Sequence, residues 1–249
     1  LELFSSLWRA LAASADFSAV LVQGGLVSMR HPVDAYHSMK EMFKQFASEK
    51  YQQDVVAKLK AQDWYPAMKA SGLAITEIDS KFNAREEMFV SNWADAVWDL
   101  PANLLQRLIG KNKTSDTWKK MNLYKASNRA YTGYLNSMRV LRYADGAKHI
   151  ESQEKTFESH PEEYKAWSSY INNATGRGGL GALETSAKAL SLAFFSPRKL
   201  MAGLNLFTPY AFIYFGKMPP VARKKAIMDY ASALGIMVTT GFLAEAAIK

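Results

Sequence analysis

The residues best suited to hold a metal ion are Asp34, His37 and Glu41, which would share one face of a helix. A metal site in a helical bundle also needs carboxylate or imidazole ligands from a second helix. The pair Glu-x-x-His, which supplies such ligands in di-iron bundles, does not occur in this sequence. We therefore interpret the three residues as a solvated helix face and predict no metal site.

A second candidate, for a cofactor site, is the glycine-rich segment at residues 176–181, Gly-Arg-Gly-Gly-Leu-Gly, which matches a dinucleotide-binding fingerprint. That fingerprint functions where a strand leads into the loop and a helix follows it. Here a helix is predicted before the glycines and no strand–helix–strand unit surrounds them. The pattern favours a flexible hinge, and we predict no bound cofactor.

Other catalytic patterns are missing from the sequence. It has no nucleophile elbow, phosphate-binding loop or His-Glu-x-x-His motif, and no cysteine to act as a nucleophile, disulfide partner or zinc ligand. The acidic pairs Glu86–Glu87 and Glu162–Glu163 are adjacent in sequence, so their side chains point to different sides of a helix. We predict no catalytic residues, and thus that this segment is not an enzyme.

The basic residues say more about possible partners, since the formal net charge is +8. A predicted helix over residues 117–144 carries six basic residues and no acid. Lys125, Arg129 and Arg139 fall within a sector of about 80° on it. This stripe predicts a nucleic-acid-binding face for the phosphate backbone, without reading of base sequence. A solvated face paired with acidic residues elsewhere is the alternative.

The C-terminal part is both basic and apolar. Residues 185–228 contain seven basic residues and no acid, and uncharged runs cover Leu200–Gly216 and Tyr230–Ala244. These runs of 17 and 15 residues are shorter than the roughly 20 that span a bilayer. The connector at 217–225 suits anionic lipid or an assembly partner, whereas the runs would also suit buried core helices. The predicted contacts are Lys217, Arg223, Lys224 and Lys225.

Helices must position all of these residues. Prolines after capping residues, capping boxes and apolar periodicity predict an all-α fold, a multi-helix array in which no hairpin signal occurs. A helical body at 1–175 is expected to join a C-terminal helical arm at 182–249 through the hinge at 176–181. Both ends of the sequence fall within helical patterns, so we expect a segment of a longer polypeptide. The predicted helices are 2–13, 17–28, 33–47, 49–62, 84–99, 101–109, 116–155, 161–174, 182–195, 197–207, 209–216 and 219–248.

Several stretches in the same order resemble the large polyvalent proteins of bacteriophages. They are 16–26 followed by His31-Pro32, then 82–89, 194–200 running on to 206–209, and 217–225. The similarity extends from about residue 16 to 229 and consists of capping and packing patterns rather than catalytic signatures. Members of this family are very long chains that join enzymatic modules to helical regions, and some are packaged in the virion and enter the host with the genome.

The resemblance implies a structural segment of an internal virion or ejection protein. Its implied partners are further copies of itself, other virion proteins, the phage DNA backbone and an anionic host membrane. Its implied location is the virion, and after infection the host envelope or cytoplasm. The alternative is a helical accessory domain of a giant phage enzyme whose hydrolase, methyltransferase or polymerase module lies elsewhere in the parent chain, so enzymatic activity of that parent stays open.

Overall fold

The structure of the chain is a computed structural model that describes residues 25–76, 123–179 and 197–248. These residues form nine α-helices and no strands, and 80% of them are helical. The predicted all-α fold is therefore confirmed. The helices are α1 (Gly25–Arg30), α2 (Pro32–Ala47), α3 (Glu49–Lys60), α4 (Tyr65–Ala70), α5 (Leu123–Glu151), α6 (Pro161–Ala174), α7 (Pro197–Phe207), α8 (Tyr210–Gly216) and α9 (Pro220–Ile248).

Prolines and polar caps begin several helices where the sequence predicts them. Pro161 and Pro197 are the first residues of α6 and α7, whose bounds equal the predicted ones. Ser48 separates α2 from α3, and its Oγ accepts a hydrogen bond of 3.1 Å from the Tyr51 N–H. Such caps satisfy backbone groups that the ends of a helix leave unpaired, so these boundaries depend on local sequence.

Other boundaries differ from the predicted ones. The short helix α4 was not predicted, and α5 ends at Glu151 because a turn follows, in which Glu154 has a φ of 59°. Several predictions lie outside the described residues. They are the helices at 2–13, 84–99, 101–109 and 182–195, together with residues 17–24 and 116–122 of two others.

The core is built around α5, which packs against α2 along its length and against α6 near its C-terminal end. Trp167 of α6 lies on Gly146 of α5, where any side chain would overlap the indole ring. The Trp167 Nε1–H also donates to the Arg142 carbonyl at 3.0 Å. An aromatic row then continues from Trp167 through Tyr170 to Phe215, with ring centroids 5.3 and 6.2 Å apart. The row joins α6 to α8.

The described part of the predicted arm belongs to this same core. Phe215, Ala222 and Ala226 are buried together with Trp167 and Tyr170. The predicted boundary between body and arm therefore does not coincide with a gap in the packing. At the predicted hinge, the Gly178 N–H donates to the Arg198 carbonyl at 3.0 Å, and the backbone of α7 leaves no space for a Cβ on this glycine. These contacts join the predicted hinge to α7, and movement of the arm about it stays a prediction.

Glu163 fixes the start of α9 to the body. Its carboxylate, on α6, accepts hydrogen bonds from the N–H of Ala222 at 2.7 Å and of Val221 at 3.3 Å. The ammonium group of Lys155 lies 2.8 Å from the same carboxylate. Burial alone would raise the pKa of Glu163, but these donors outweigh it, and the pKa is lowered. A carboxylate here also suits the positive end of the α9 dipole.

Candidate assembly or membrane surface

The second half of α9 projects from the body. In the first half, Ala222, Ala226, Asp229 and Ala233 are buried at the spacing of one helix face. From Gly235 onward every described side chain is exposed. We call residues 235–248 the α9 tip. Its exposed large apolar side chains are Ile236, Met237, Val238, Phe242 and Leu243.

The apolar residues of the α9 tip do not form a stripe. Ile236, Met237 and Val238 are consecutive, so they point about 100° apart around the helix axis. Val238 is 57% exposed and Phe242 69% exposed. A helix that is apolar on all sides is normally buried in a protein interior or in a membrane. The α9 tip thus has the composition of a buried element in an exposed position.

By length and composition, Pro220–Leu243 is the one stretch of the described residues that could span a membrane, with a hydropathy of 1.4. The core helix of a soluble protein can meet the same criterion, but only 17% of this stretch is buried. The uncharged run Tyr230–Ala244 is shorter than a bilayer-spanning helix, whereas α9 continues without a break from Pro220 to Ile248. The α9 tip itself, 14 residues long, reaches about 21 Å, against about 30 Å of hydrocarbon.

An apolar groove adjoins the base of the α9 tip, where α7, α8 and α9 meet. It encloses about 620 Å³ and includes Phe207, Phe212, Ile227 and Leu234 in its lining. Phe212 is 83% exposed, and Ile213 next to it is 51% exposed. Contiguous exposed apolar surface of this kind marks a contact with protein or membrane.

The basic residues predicted beside this surface are divided between two roles. Lys217 and Lys224 are exposed, and Arg223 is half-buried at the edge of the apolar groove. Lys225 instead pairs with Asp145 at 2.8 Å and lies 5.9 Å from the centre of the Trp167 ring. Burial would raise the pKa of Asp145, but the Lys225 hydrogen bond and nearby positive charge outweigh it, and the pKa is lowered.

Along α9, the exposed Lys224 and the apolar Leu243 are 19 residues apart, which corresponds to about 29 Å. This separation is close to the thickness of the hydrocarbon region. Lys224, near the start of α9, and the α9 tip therefore lie towards opposite ends of one continuous helix.

A chain of polar contacts secures the base of α9. The His31 Nε2 lies 2.9 Å from a carboxylate oxygen of Asp229, and its Nδ1 lies 2.8 Å from Arg142 Nη1. Arg142 also pairs with Asp34. Burial, followed by the charge of Asp229, raises the pKa of Tyr170 well above its ordinary value, so its phenol stays protonated. This cluster joins α2, α5 and α9, and we interpret it as a structural connection.

The predicted nucleic-acid stripe is wrong for Arg139, which is fully buried. Its Nε donates to Thr175 Oγ1 at 2.8 Å and its Nη1 to the Ala74 carbonyl at 2.9 Å. Arg129 donates to the carbonyls of Gln45 and Phe46 at the end of α2, at 3.1 and 3.2 Å. The side chain of Lys125 lies outside the described residues. Arg139 and Arg129 thus stabilise the fold, because the face they occupy is covered.

Asp34, His37 and Glu41, the residues considered as metal ligands, contact other side chains. Asp34 pairs with Arg142, whereas Glu41 accepts hydrogen bonds from Tyr51, at 2.9 and 3.0 Å, and from Lys44 at 3.0 Å. His37 is exposed and packs its ring edge-on to a neighbouring tyrosine. In the parts of the chain that the structure describes, no three His, Asp or Glu residues converge as metal ligands.

The glycine-rich segment at 176–181 begins directly after the end of α6. Thr175 ends that helix, and Gly176 has a φ of 75°, a left-handed conformation that favours glycine. A helix rather than a strand leads into the glycines, so the arrangement is that of a helix end and not of a dinucleotide loop. Gly181 lies outside the described residues.

Comparison of the chain with protein-family models, with curated proteins and with solved structures found no match.

Proposed function

We propose that this chain is a non-catalytic structural segment of a bacteriophage internal virion or ejection protein, which attaches to its partners through α9. The observation that carries the attachment role is the α9 tip, whose exposed large apolar side chains point to several sides of the helix. The phage assignment is supported by the sequence resemblance. Within the particle the partners are copies of this chain or other virion proteins, and after delivery the partner is the anionic host membrane.

The exposed apolar surface of the α9 tip makes a substantial gross contribution to association. Burying a large apolar side chain contributes about 1.5–3 kcal/mol. Scaled by their exposed fractions, the five apolar side chains of the α9 tip together offer about 4–8 kcal/mol. Association costs about 4–15 kcal/mol in translational and rotational freedom, so this gross contribution has to be joined by further buried surface. The apolar groove adds further surface beside it, so one neighbouring helix could cover both.

The membrane role is supported by the layout of α9. With α9 lying along the membrane surface, Lys224 would meet anionic head groups while the α9 tip packs into the interface. Because Asp229 is held by His31 in the body, insertion with the body intact is limited to the tip. The tip is too short to cross the bilayer alone, which favours assembly as the resting role. Contact with DNA receives less support, since Arg139 and Arg129 are committed to the fold.

The test combines light scattering after size exclusion with flotation on vesicles of zwitterionic lipid, with and without phosphatidylserine. We expect the purified chain to self-associate and to float when anionic lipid is present. The double variant Val238→Glu/Phe242→Glu should be monomeric and should not float, because both positions are exposed. The matched control is Gln53→Glu/Gln153→Glu, which adds the same charge at exposed positions elsewhere.

A monomeric wild-type chain that floats with neither lipid would refute the attachment role. Equal behaviour of the two double variants would refute the assignment of that role to the α9 tip. The first result would favour the alternative of an accessory domain that packs on an enzymatic module of a longer chain.

A further inference from the structure

A second cavity, on the side of α6 near its C-terminal end, is unlike the apolar groove. It encloses about 580 Å³ between α4, the segment after α4, α6 and the start of α7. Four of its lining residues are basic, and none of those within the described parts of the chain is acidic. The four are Lys69, Lys165, Arg177 and Arg198. We call it the basic cavity.

The basic side chains come from different elements. Lys69 is in the last turn of α4 and Lys165 in the middle of α6, and both are exposed. Neither lysine forms an ion pair with another described residue. Arg177 is buried, and its Nη1 lies 3.2 Å from Thr76 Oγ1. Positive charge therefore reaches the cavity from several walls, whereas a solvated helix face would carry it on one side only.

One wall of the basic cavity is held rigidly by side chains. The amide of Asn172 donates to the Gly72 carbonyl and accepts from the Ala74 N–H, both at 2.9 Å. Arg139 also binds the Ala74 carbonyl, at 2.9 Å. Ser71, at the start of the segment, shares a buried hydrogen bond of 2.6 Å with Ser168. A ligand that enters the cavity meets a wall that is already ordered, which lowers the entropic cost of binding.

We propose that the basic cavity binds a small phosphate-bearing ligand such as a nucleotide or a polyphosphate. Its volume lies within the range of small-molecule sites, about 300–1,000 Å³. A phosphate has several charged oxygens, so it can accept from the exposed Lys69 on α4 and Lys165 on α6, which approach from different walls. The hydroxyl of Ser169 adds a neutral polar group to the lining. This site is separate from the α9 surface, and the inference does not depend on the attachment role.

The test is isothermal titration of the full chain with pyrophosphate, ATP and a short single-stranded oligonucleotide. We expect saturable binding that weakens with salt, and a rise in melting temperature with ligand. The variant Lys69→Gln/Lys165→Gln should weaken binding by at least about tenfold. Both lysines are exposed, so the variant should melt at the wild-type temperature. The control Lys58→Gln/Lys148→Gln removes the same charge from exposed positions on α3 and α5 and should bind like wild type.

Tighter binding of ATP or pyrophosphate would identify a free phosphate compound as the ligand, and tighter binding of the oligonucleotide would identify a nucleic-acid phosphate. Absence of binding to all three probes would overturn the proposal. Equal weakening in both double variants would overturn it as well, because the attraction would then come from net charge. No weakening in Lys69→Gln/Lys165→Gln would also overturn it, because the two lysines would then not contact the ligand.

Discussion

Replacement of Glu163 by glutamine removes a buried charge from the contact that fixes α9. The carboxylate side chain is 1% exposed and is shared by the N–H groups of Val221 and Ala222 and the ammonium of Lys155. Glutamine has a single acceptor oxygen and places an NH₂ where the second oxygen stood. At least one buried donor therefore loses its acceptor.

The expected cost follows from two contributions. A buried donor without a partner costs about 1–3 kcal/mol. Loss of negative charge at the start of α9 removes about 0.3–1 kcal/mol of interaction with the helix dipole. We therefore expect Glu163→Gln to lower the free energy of unfolding by about 1–4 kcal/mol near pH 7. Urea unfolding followed by circular dichroism measures this change.

The pH dependence provides a sharper form of the same prediction. Because folding lowers the pKa of Glu163, the stabilisation is present above the ordinary value of 4.5 and is lost as pH falls below it. The difference between wild type and Glu163→Gln should shrink over that acidic range. Glu162→Gln, at the exposed neighbouring position in the first turn of α6, should change stability by at most about 1 kcal/mol and without the loss of a buried hydrogen bond. A loss in Glu163→Gln that equals this control, or one that is independent of pH, would refute the reasoning.

Two further substitutions test the core and the corrected stripe. Gly146→Ala should destabilise the chain by about 1–3 kcal/mol and change the tryptophan fluorescence, because the new methyl group displaces Trp167. The control Gly241→Ala meets open space and should be neutral or stabilising. Equal unfolding midpoints for the two variants would contradict the packing of Trp167 on Gly146. Arg139→Gln should cost about 2–4 kcal/mol through loss of its buried hydrogen bonds, while Lys148→Gln, at an exposed site on the same helix, should cost almost nothing. A folded Arg139→Gln with wild-type stability and reduced DNA binding would restore the stripe.

The α9 tip could be located in the sequence but not interpreted from it. The run Tyr230–Ala244 is visibly uncharged, and a buried core helix would read in the same way. Which of the two it is depends on whether other helices reach it, and in the described residues they reach only as far as Leu234. The basic cavity was not found at all, because Lys69 lies far in sequence from Lys165 and Arg177 and no sequence motif connects them.

What the sequence determined by itself was the helical class and the bounds of α6 and α7, since proline and capping residues act on the backbone within one turn. What only the tertiary structure decided was which side of each helix is covered. The sequence assigned Arg139 to an outer stripe, but the segment at 73–76 lies across that side of α5 and accepts its hydrogen bond. Periodicity shows which residues share a face of a helix, whereas the element that packs on that face is set by contacts between residues distant in sequence.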